Sequence, residues 1–224
     1  VDQVDARAPS VRIGIALASI AIALVAVLLV ARHDSAPGHG GSSSVLAQAA
    51  DSPDVLGVVA PFAFQERGGA IVRREDLAGE PWVASSIFTR CTGPCPAVTS
   101  TMNKLQARLD GSRAKLVTFT VDPEYDTPEK LAEYARAAGA NPKRWLFVTG
   151  PTADIDAFIR QSFSSPVERS TSVPVGEHVS HSTRLVVVDK QGRVRGMYSG
   201  ETDADLDAIV ARVRFLERET APSR

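Results

Sequence analysis

The chain has 224 residues, room for one well-buried domain with appendages, and its 44% hydrophobic content is ordinary for a globular protein. Its formal net charge is -1, and its 20 arginines and 5 lysines are scattered rather than clustered. That excludes the basic field of a nucleic-acid binder and the acidic block of a charged tail.

A tail over residues 1–12 leads into Ile13–Ala31, 19 residues without a charge, bracketed by Arg12 and Arg32. At ~1.5 Å per residue such a helix covers roughly 28 Å, close to the ~30 Å hydrocarbon core of a bilayer. A buried core helix would show a polar face, and here only Gly14 and Ser19 interrupt the apolar run. The nearest Ala-x-Ala, Ala47-Gln48-Ala49, lies too far on for a signal peptidase site. The stretch is therefore predicted to be an uncleaved transmembrane helix. Arg7 and Arg12 before it against Arg32 after it favour a cytoplasmic N-terminus. The rest of the chain would then face the periplasm or an equivalent extracytoplasmic space. Residues 32–53 read as a flexible linker, with "HDSAPGHGGSSS" too rich in Gly, Ser and Pro to pack, and its His33 and His39 as solvated.

The globular head is predicted over residues 54–220. Phe62 to Val72 reads as a hairpin turning at Gly68-Gly69, and "WVASSIF", Trp82–Phe88, as a strand covered on both faces. From Pro96 to Leu109, Val98, Met102, Leu105 and Leu109 recur at helical spacing before a stop at Gly111. A strand over Lys115–Val121, a helix opened by Thr127-Pro128-Glu129, a strand over Trp145–Thr149 and a helix over Thr152–Phe163 follow. Ser164 to Ser180 is a long loop without periodicity, of the kind that is either functional or disordered. "RLVVVD", "DKQG" and "RVRGMY" form a closing hairpin, and Thr202 caps a last helix reaching about Glu219. Strands alternating with helices predict an α/β fold: an open, largely parallel sheet of the thioredoxin kind with flanking helices and antiparallel hairpins at its ends.

The only cysteines, Cys91 and Cys95, stand in "FTRCTGPCPAVT", between a strand's end and a helix's start. Open α/β folds place their sites at that carboxyl edge, and a helix N-terminus favours a thiolate there. A structural disulfide closing so short a loop would constrain the unfolded chain little. Two readings remain: a reversible dithiol, or a soft-metal site, for which two thiolates favour Cu(I) and exclude magnesium and calcium. Zinc would want four ligands, and the sequence has no further cysteines to offer. The head's only histidines, His178 and His181, lie in "GEHVSHSTRL". His181, where the loop meets a strand, is the preferred third ligand.

Three stretches, "FTRCTGPCPAVTSTMNKLQ", "VTFTVDPEYDTPEKLAEYA" and "HSTRLVVVDKQGRVRG", together resemble the SCO/SenC family of membrane-tethered copper proteins, from about Phe62 to Ile209. The resemblance implies a thioredoxin-like domain binding copper, as Cu(I), Cu(II) or both, through Cys91, Cys95 and His181. It also implies a role for Asp122 of "VDPE" in metal loading or partner contact, where the residue read alone would be an Asx turn before Pro123. By the same resemblance the chain is a copper metallochaperone of the bacterial cytoplasmic membrane. It would deliver copper to the CuA centre of cytochrome c oxidase subunit II, or to another copper acceptor, by thiolate ligand exchange. The alternative is a thiol–disulfide oxidoreductase that keeps the CuA-site cysteines reduced, with Cys91 attacking and Cys95 resolving; Thr-Gly-Pro between the cysteines, close to a thioredoxin "CGPC", leans that way. A thiol peroxidase is a weaker third reading, since only Thr89 and Arg90 stand near to polarise a peroxide. Met102 and Met197 sit singly, which argues against a methionine relay.

Overall fold

The structure, a computed structural model, describes residues 55–219. The apolar stretch 13–31 and the linker 32–53 lie outside the described residues, as do the head's two predicted end residues. Among the described residues no helix is long and apolar enough to cross a membrane.

Among the described residues ten strands and four α-helices follow one another: β1 (Gly57–Val58), β2 (Ala63–Glu66), β3 (Ile71–Arg73), β4 (Trp82–Ile87), α1 (Cys95–Arg108), β5 (Lys115–Thr120), α2 (Pro128–Ala137), β6 (Trp145–Thr149), α3 (Thr152–Phe163), β7 (Glu168–Arg169), β8 (Val179–Ser180), β9 (Leu185–Val188), β10 (Arg193–Tyr198) and α4 (Asp203–Arg218). Eight strands form one sheet in the order β1-β10-β9-β4-β5-β6-β2-β3. Only β4, β5 and β6 run parallel; β9 joins β4 antiparallel, β2 joins β6 antiparallel, and both predicted hairpins extend the edges. The sheet is thus mixed rather than largely parallel. After α3 the chain crosses back by way of a loop and enters β9 from the opposite end, which reverses its sense.

The predicted elements form for legible reasons. Thr127 accepts a hydrogen bond from the Lys130 amide and caps α2, while Thr202 and Asp205 make a reciprocal capping box on α4. The β2–β3 turn relies on Gly69 at φ +92°, a conformation glycine takes without strain.

Side-chain alternation along β5 separates the two faces. Phe119 meets Phe158 of α3, with ring centroids 4.8 Å apart, in an aromatic cluster that includes Phe62 and Phe64. On the other face Thr118 accepts from Trp145 Nε1 at 2.8 Å and pairs with Ser85 Oγ at 2.8 Å, so the polar groups buried in mid-sheet satisfy each other. Helix α2 covers this face through Tyr134 against Phe147, and α1 lies beside it, joined by Thr99 to the Tyr134 hydroxyl at 2.7 Å. Helix α4 packs on β10, β9 and α1.

The 164–180 segment departs from the structureless loop expected. It forms a second, two-stranded antiparallel sheet, Glu168 opposite Ser180 and Arg169 opposite Val179. The Ser170 amide donates to the His178 carbonyl at 2.9 Å, extending that ladder. Two residues per strand are too few to leave an alternation in the sequence.

Candidate functional site

The site lies where β4 ends. Phe88 is buried, and the chain then turns through Thr89–Pro94 into α1, the Cys91 amide donating to the Phe88 carbonyl at 3.2 Å. The turn is held from below and from one side. From below, Asp126, fully buried, accepts from the Thr89 amide at 3.0 Å, from the Thr89 hydroxyl, and from the Thr120 hydroxyl at 2.5 Å. From the side, Arg90 Nε donates to Asp122 Oδ2 at 2.7 Å.

Both cysteines are free thiols in unlike surroundings: Cys91 is half-buried and Cys95 is 1% exposed on the inner face of α1. Burial pushes the Cys95 thiol pKa up, and its hydrogen bond with Cys91 pushes in the same direction. The thiolate expected from the helix N-terminus is therefore not favoured at Cys95, because desolvation outweighs the helix dipole. A cation entering the site would supply the missing stabilisation of the anion.

His181 follows β8 directly. Its Nδ1–H donates to the Ser182 carbonyl at 2.9 Å, which leaves the Nε2 lone pair facing Cys95 Sγ at 3.9 Å. Burial lowers the imidazole pKa, partly offset by the Ser182 carbonyl, so the ring is held in the neutral form a metal requires. Behind His181 opens a cavity of about 300 Å³ whose lining includes Ser86, Phe163, Ser165 and Met197. Among the described residues no three His, Cys, Asp or Glu side chains stand close enough to enclose a metal ion without movement. The two sulfurs and the imidazole form an open set rather than a closed cage.

His178 is committed elsewhere. Its Nδ1 faces the Gly176 amide at 3.2 Å, and its Nε2 lies 3.2 Å from Arg90 Nη2 and 3.4 Å from Asp122 Oδ2. Of the two histidines it is His181 that faces a cysteine. Asp122, buried, turns its carboxylate to Arg90 and His178, so it bridges three segments of chain instead of capping its own turn. Phe88 presents its ring to both histidines, edge-on, with centroids 5.4 Å from His178 and 6.1 Å from His181.

Sequence reasoning passed over Asp126 and Gly176 and gave Arg90 and Thr89 only as peroxide-polarising candidates. The structure commits both of the latter: the Thr89 hydroxyl to Asp126 and the Arg90 guanidinium to Asp122, which removes the support for a peroxidase. A buried aspartate four residues after another in "VDPEYD" was the available signal for Asp126. Nothing in the sequence marked Gly176.

A family model described as SCO1/SenC matches residues 50–216. Among solved structures, an SCO1/SenC family lipoprotein from Bacillus anthracis str. Ames is 29% identical, with a TM-score of 0.68 over 73% of this chain and 98% of its own. BsSco, described with a disulfide switch and as a member of the Sco family of cytochrome c oxidase assembly proteins, is 32% identical, with a TM-score of 0.67 over 75% and 98%. A copper-bound ScoI from Bradyrhizobium japonicum shares the fold at 19% identity, with a TM-score of 0.62 over 71% and 99%. The family match spans well over half of the sequence, and the chain belongs to the SCO1/SenC family.

Proposed function

We propose that this chain is a membrane-anchored copper metallochaperone that holds copper on Cys91, Cys95 and His181 and passes it to incoming thiolates. The observation that carries this reading is the neutral imidazole of His181, oriented by Ser182, with Nε2 aimed at the buried sulfur of Cys95. Two thiols and one imidazole form a soft, three-coordinate donor set suited to Cu(I). Copper binding by a Sco structure of the same fold supports it. Residues 13–31 would be the anchor, and the lipoprotein relative is consistent with a head working at an extracytoplasmic membrane surface. The acceptor is proposed to be the CuA centre of cytochrome c oxidase subunit II, in line with the assembly role described for BsSco. Copper is the cargo here. His181, carried at the end of a short two-stranded element, leaves first and opens the coordination sphere; target thiolates then displace Cys91 and Cys95 in turn.

A second reading is favoured by the asymmetry of the thiols, half-buried Cys91 against buried Cys95, and by the disulfide switch described for BsSco. In it the Cys91 thiolate attacks a target disulfide, forming a mixed disulfide and releasing one target thiolate. Cys95 then attacks the Cys91 sulfur, releasing the second. Two electrons pass to the target, and the chain is left as a Cys91–Cys95 disulfide that an external dithiol must reduce.

An anaerobic copper titration of the reduced chain, beside Cys91→Ser, Cys95→Ser and His181→Ala, tests the first reading. One tight copper per chain, lost with either cysteine and weakened without His181, supports it. No tight copper together with a readily oxidised dithiol moves the assignment to the reductase.

A further inference from the structure

The segment from Ser164 to His181 meets the cysteine turn through contacts that converge on three residues. The Thr92 amide donates to the Gly176 carbonyl at 3.2 Å. Gly176 has φ +109°, and a Cβ there would lie 2.9 Å from Thr92 Cγ2 and 3.0 Å from the Arg90 carbonyl oxygen, so this approach requires glycine. Two residues on, the His178 ring faces the Gly176 amide through Nδ1 and sets Nε2 against Arg90 Nη2 at 3.2 Å and Asp122 Oδ2 at 3.4 Å, the oxygen that Arg90 Nε also reaches. The Phe88 ring packs against the far side of the same imidazole. The His178 carbonyl closes the β7–β8 ladder, whose second strand ends at Ser180, one residue before His181.

We propose that His178, Asp122 and Arg90 form a latch that seats the 164–181 hairpin on the cysteine turn and thereby sets His181 Nε2 against Cys95. One carboxylate joins three pieces of chain: the end of β5 that bears it, the turn bearing Cys91 through Arg90, and the hairpin bearing His181 through His178. His178 is a positioning residue that spends both ring nitrogens on the latch. Without it the hairpin keeps the Gly176 carbonyl on Thr92 and, at β7, Arg169 on the Val121 carbonyl and Asp156, and the end of the hairpin that bears His181 loses its direct tie to the cysteine turn. The meaning of this device for copper rests on the functional reading above, but the latch itself belongs to the copper-free protein.

The test uses the full reduced chain in detergent, as wild type and as His178→Ala, Gly176→Ala and His178→Gln, whose side-chain amide can still donate to Asp122. Amide exchange of Thr92 and Ser170 in the copper-free state is expected to accelerate by roughly tenfold in both alanine variants, the scale of one lost charge-assisted contact on a local opening equilibrium. Val117 and Phe119 in β5 should keep their protection, and His178→Gln should recover most of the effect. With Cu(II) added, the nitrogen hyperfine coupling of the bound ion should weaken in His178→Ala while the sulfur-to-copper absorption persists. Unchanged exchange at Thr92 and Ser170 overturns the latch, as does acceleration that extends equally to Val117 and Phe119, which marks global unfolding. Faster exchange with unaltered nitrogen coupling overturns the positioning of His181. A wild-type chain that binds no copper sinks the metallochaperone reading alone, since the exchange arm still decides the latch.

Discussion

His181 turns its unprotonated Nε2 to the sulfur of Cys95 at 3.9 Å while its Nδ1–H is spent on the carbonyl of Ser182 at 2.9 Å. The ring is thus oriented and neutral before any metal arrives, and loading does not have to displace a proton from it near neutral pH. Because burial lowers its pKa, the imidazole should remain an effective ligand below about pH 6.5, where an exposed histidine would be half protonated. Copper affinity should fall with pH in both proteins as the thiols take up protons, but His181 should add no further loss to the wild type until well below that point. His181→Ala should lose affinity by about 100-fold at pH 7 and show a different pH dependence, set by the thiols alone. Competition against a Cu(I) chelator between about pH 5 and 8 checks both expectations. Equal affinities for the two proteins would remove His181 from the site.

The contrast between the thiols predicts an order of reactivity. Cys91 reaches solvent, whereas Cys95 is buried with its pKa pushed up. A thiol-specific alkylating agent at pH 7.5 should modify Cys91 first, with Cys95 slower by roughly tenfold or more. In Cys91→Ser the remaining thiol should alkylate slowly, and in Cys95→Ser quickly. Mass spectrometry of timed aliquots reads the order directly. Labelling of both at one rate would mean that the first turn of α1 opens faster than the reagent reacts.

Asp126 supports the cysteine turn from below, and its environment sets the sign of a pH effect. Burial raises its pKa, and hydrogen bonds from Thr120 and Thr89 only partly oppose this. Between the unfolded value of about 3.9 and the raised folded value, the native state binds more protons than the unfolded one. Stability from this residue is therefore fully present at the acid end of that window and falls as pH rises through the folded pKa. In Asp126→Asn the slope should vanish: the amide oxygen replaces one carboxylate oxygen, and the Thr89 hydroxyl can turn to accept from the amide nitrogen. Asp126→Ala should cost about 3 kcal/mol at the acid end of that window and less as pH rises, because it strands the Thr89 amide and two hydroxyls without an acceptor. Urea unfolding of the three proteins across that window measures it. A wild type and an Asn variant with parallel profiles would show that Asp126 does not titrate in it.

How much of this was legible before the fold was known depended on the range of the interaction. Trp82–Ile87, Lys115–Thr120 and Trp145–Thr149 announced themselves as apolar runs, and the α1 and α2 faces as spacings of three and four, because those signals are local. Cys91, Cys95 and His181 could be singled out because thiols and imidazoles are scarce in this chain. What stayed hidden was the pairing of common residues across distance. Arg90 and Asp122 lie 32 positions apart, and Arg90 and His178 lie 88 apart, and nothing in either neighbourhood marks the partner. The sense of β9 was equally hidden, since an apolar strand such as "LVVV" suits a parallel or an antiparallel neighbour alike.

The end of the sheet remote from the site carries a buried ion cluster that anchors the hairpin leading away from His181. Arg195, in β10, is 2% exposed, and its Nη1 donates to Asp189 Oδ2 at 3.0 Å and to Glu219 Oε2 at 2.8 Å, with Nη2 on Glu219 Oε1 at 3.1 Å. Asp189, itself buried, also accepts from the amides of Gln191 and Arg193 and so shapes the β9–β10 turn. Removing one partner of a buried pair costs more than the pair is worth, because the other charge stays buried. Asp189→Ala should therefore destabilise the protein by about 3–5 kcal/mol, whereas Glu219→Gln, at a more open position, should cost only about 1 kcal/mol. Arg195 holds the Glu219 carboxyl below the usual range, so its contribution is present above the unfolded value of about pH 4.3 and is lost as pH falls through the folded pKa. Glu219→Gln should flatten that acid limb by lowering the neutral plateau, and leave stability at the acid end nearly unchanged. Copper affinity should change little in either variant while the domain stays folded, since the cluster touches none of Cys91, Cys95 and His181. A site that weakened in step with Glu219→Gln would show that the hairpin transmits strain to His181, and the two ends of the sheet would then have to be treated as one unit.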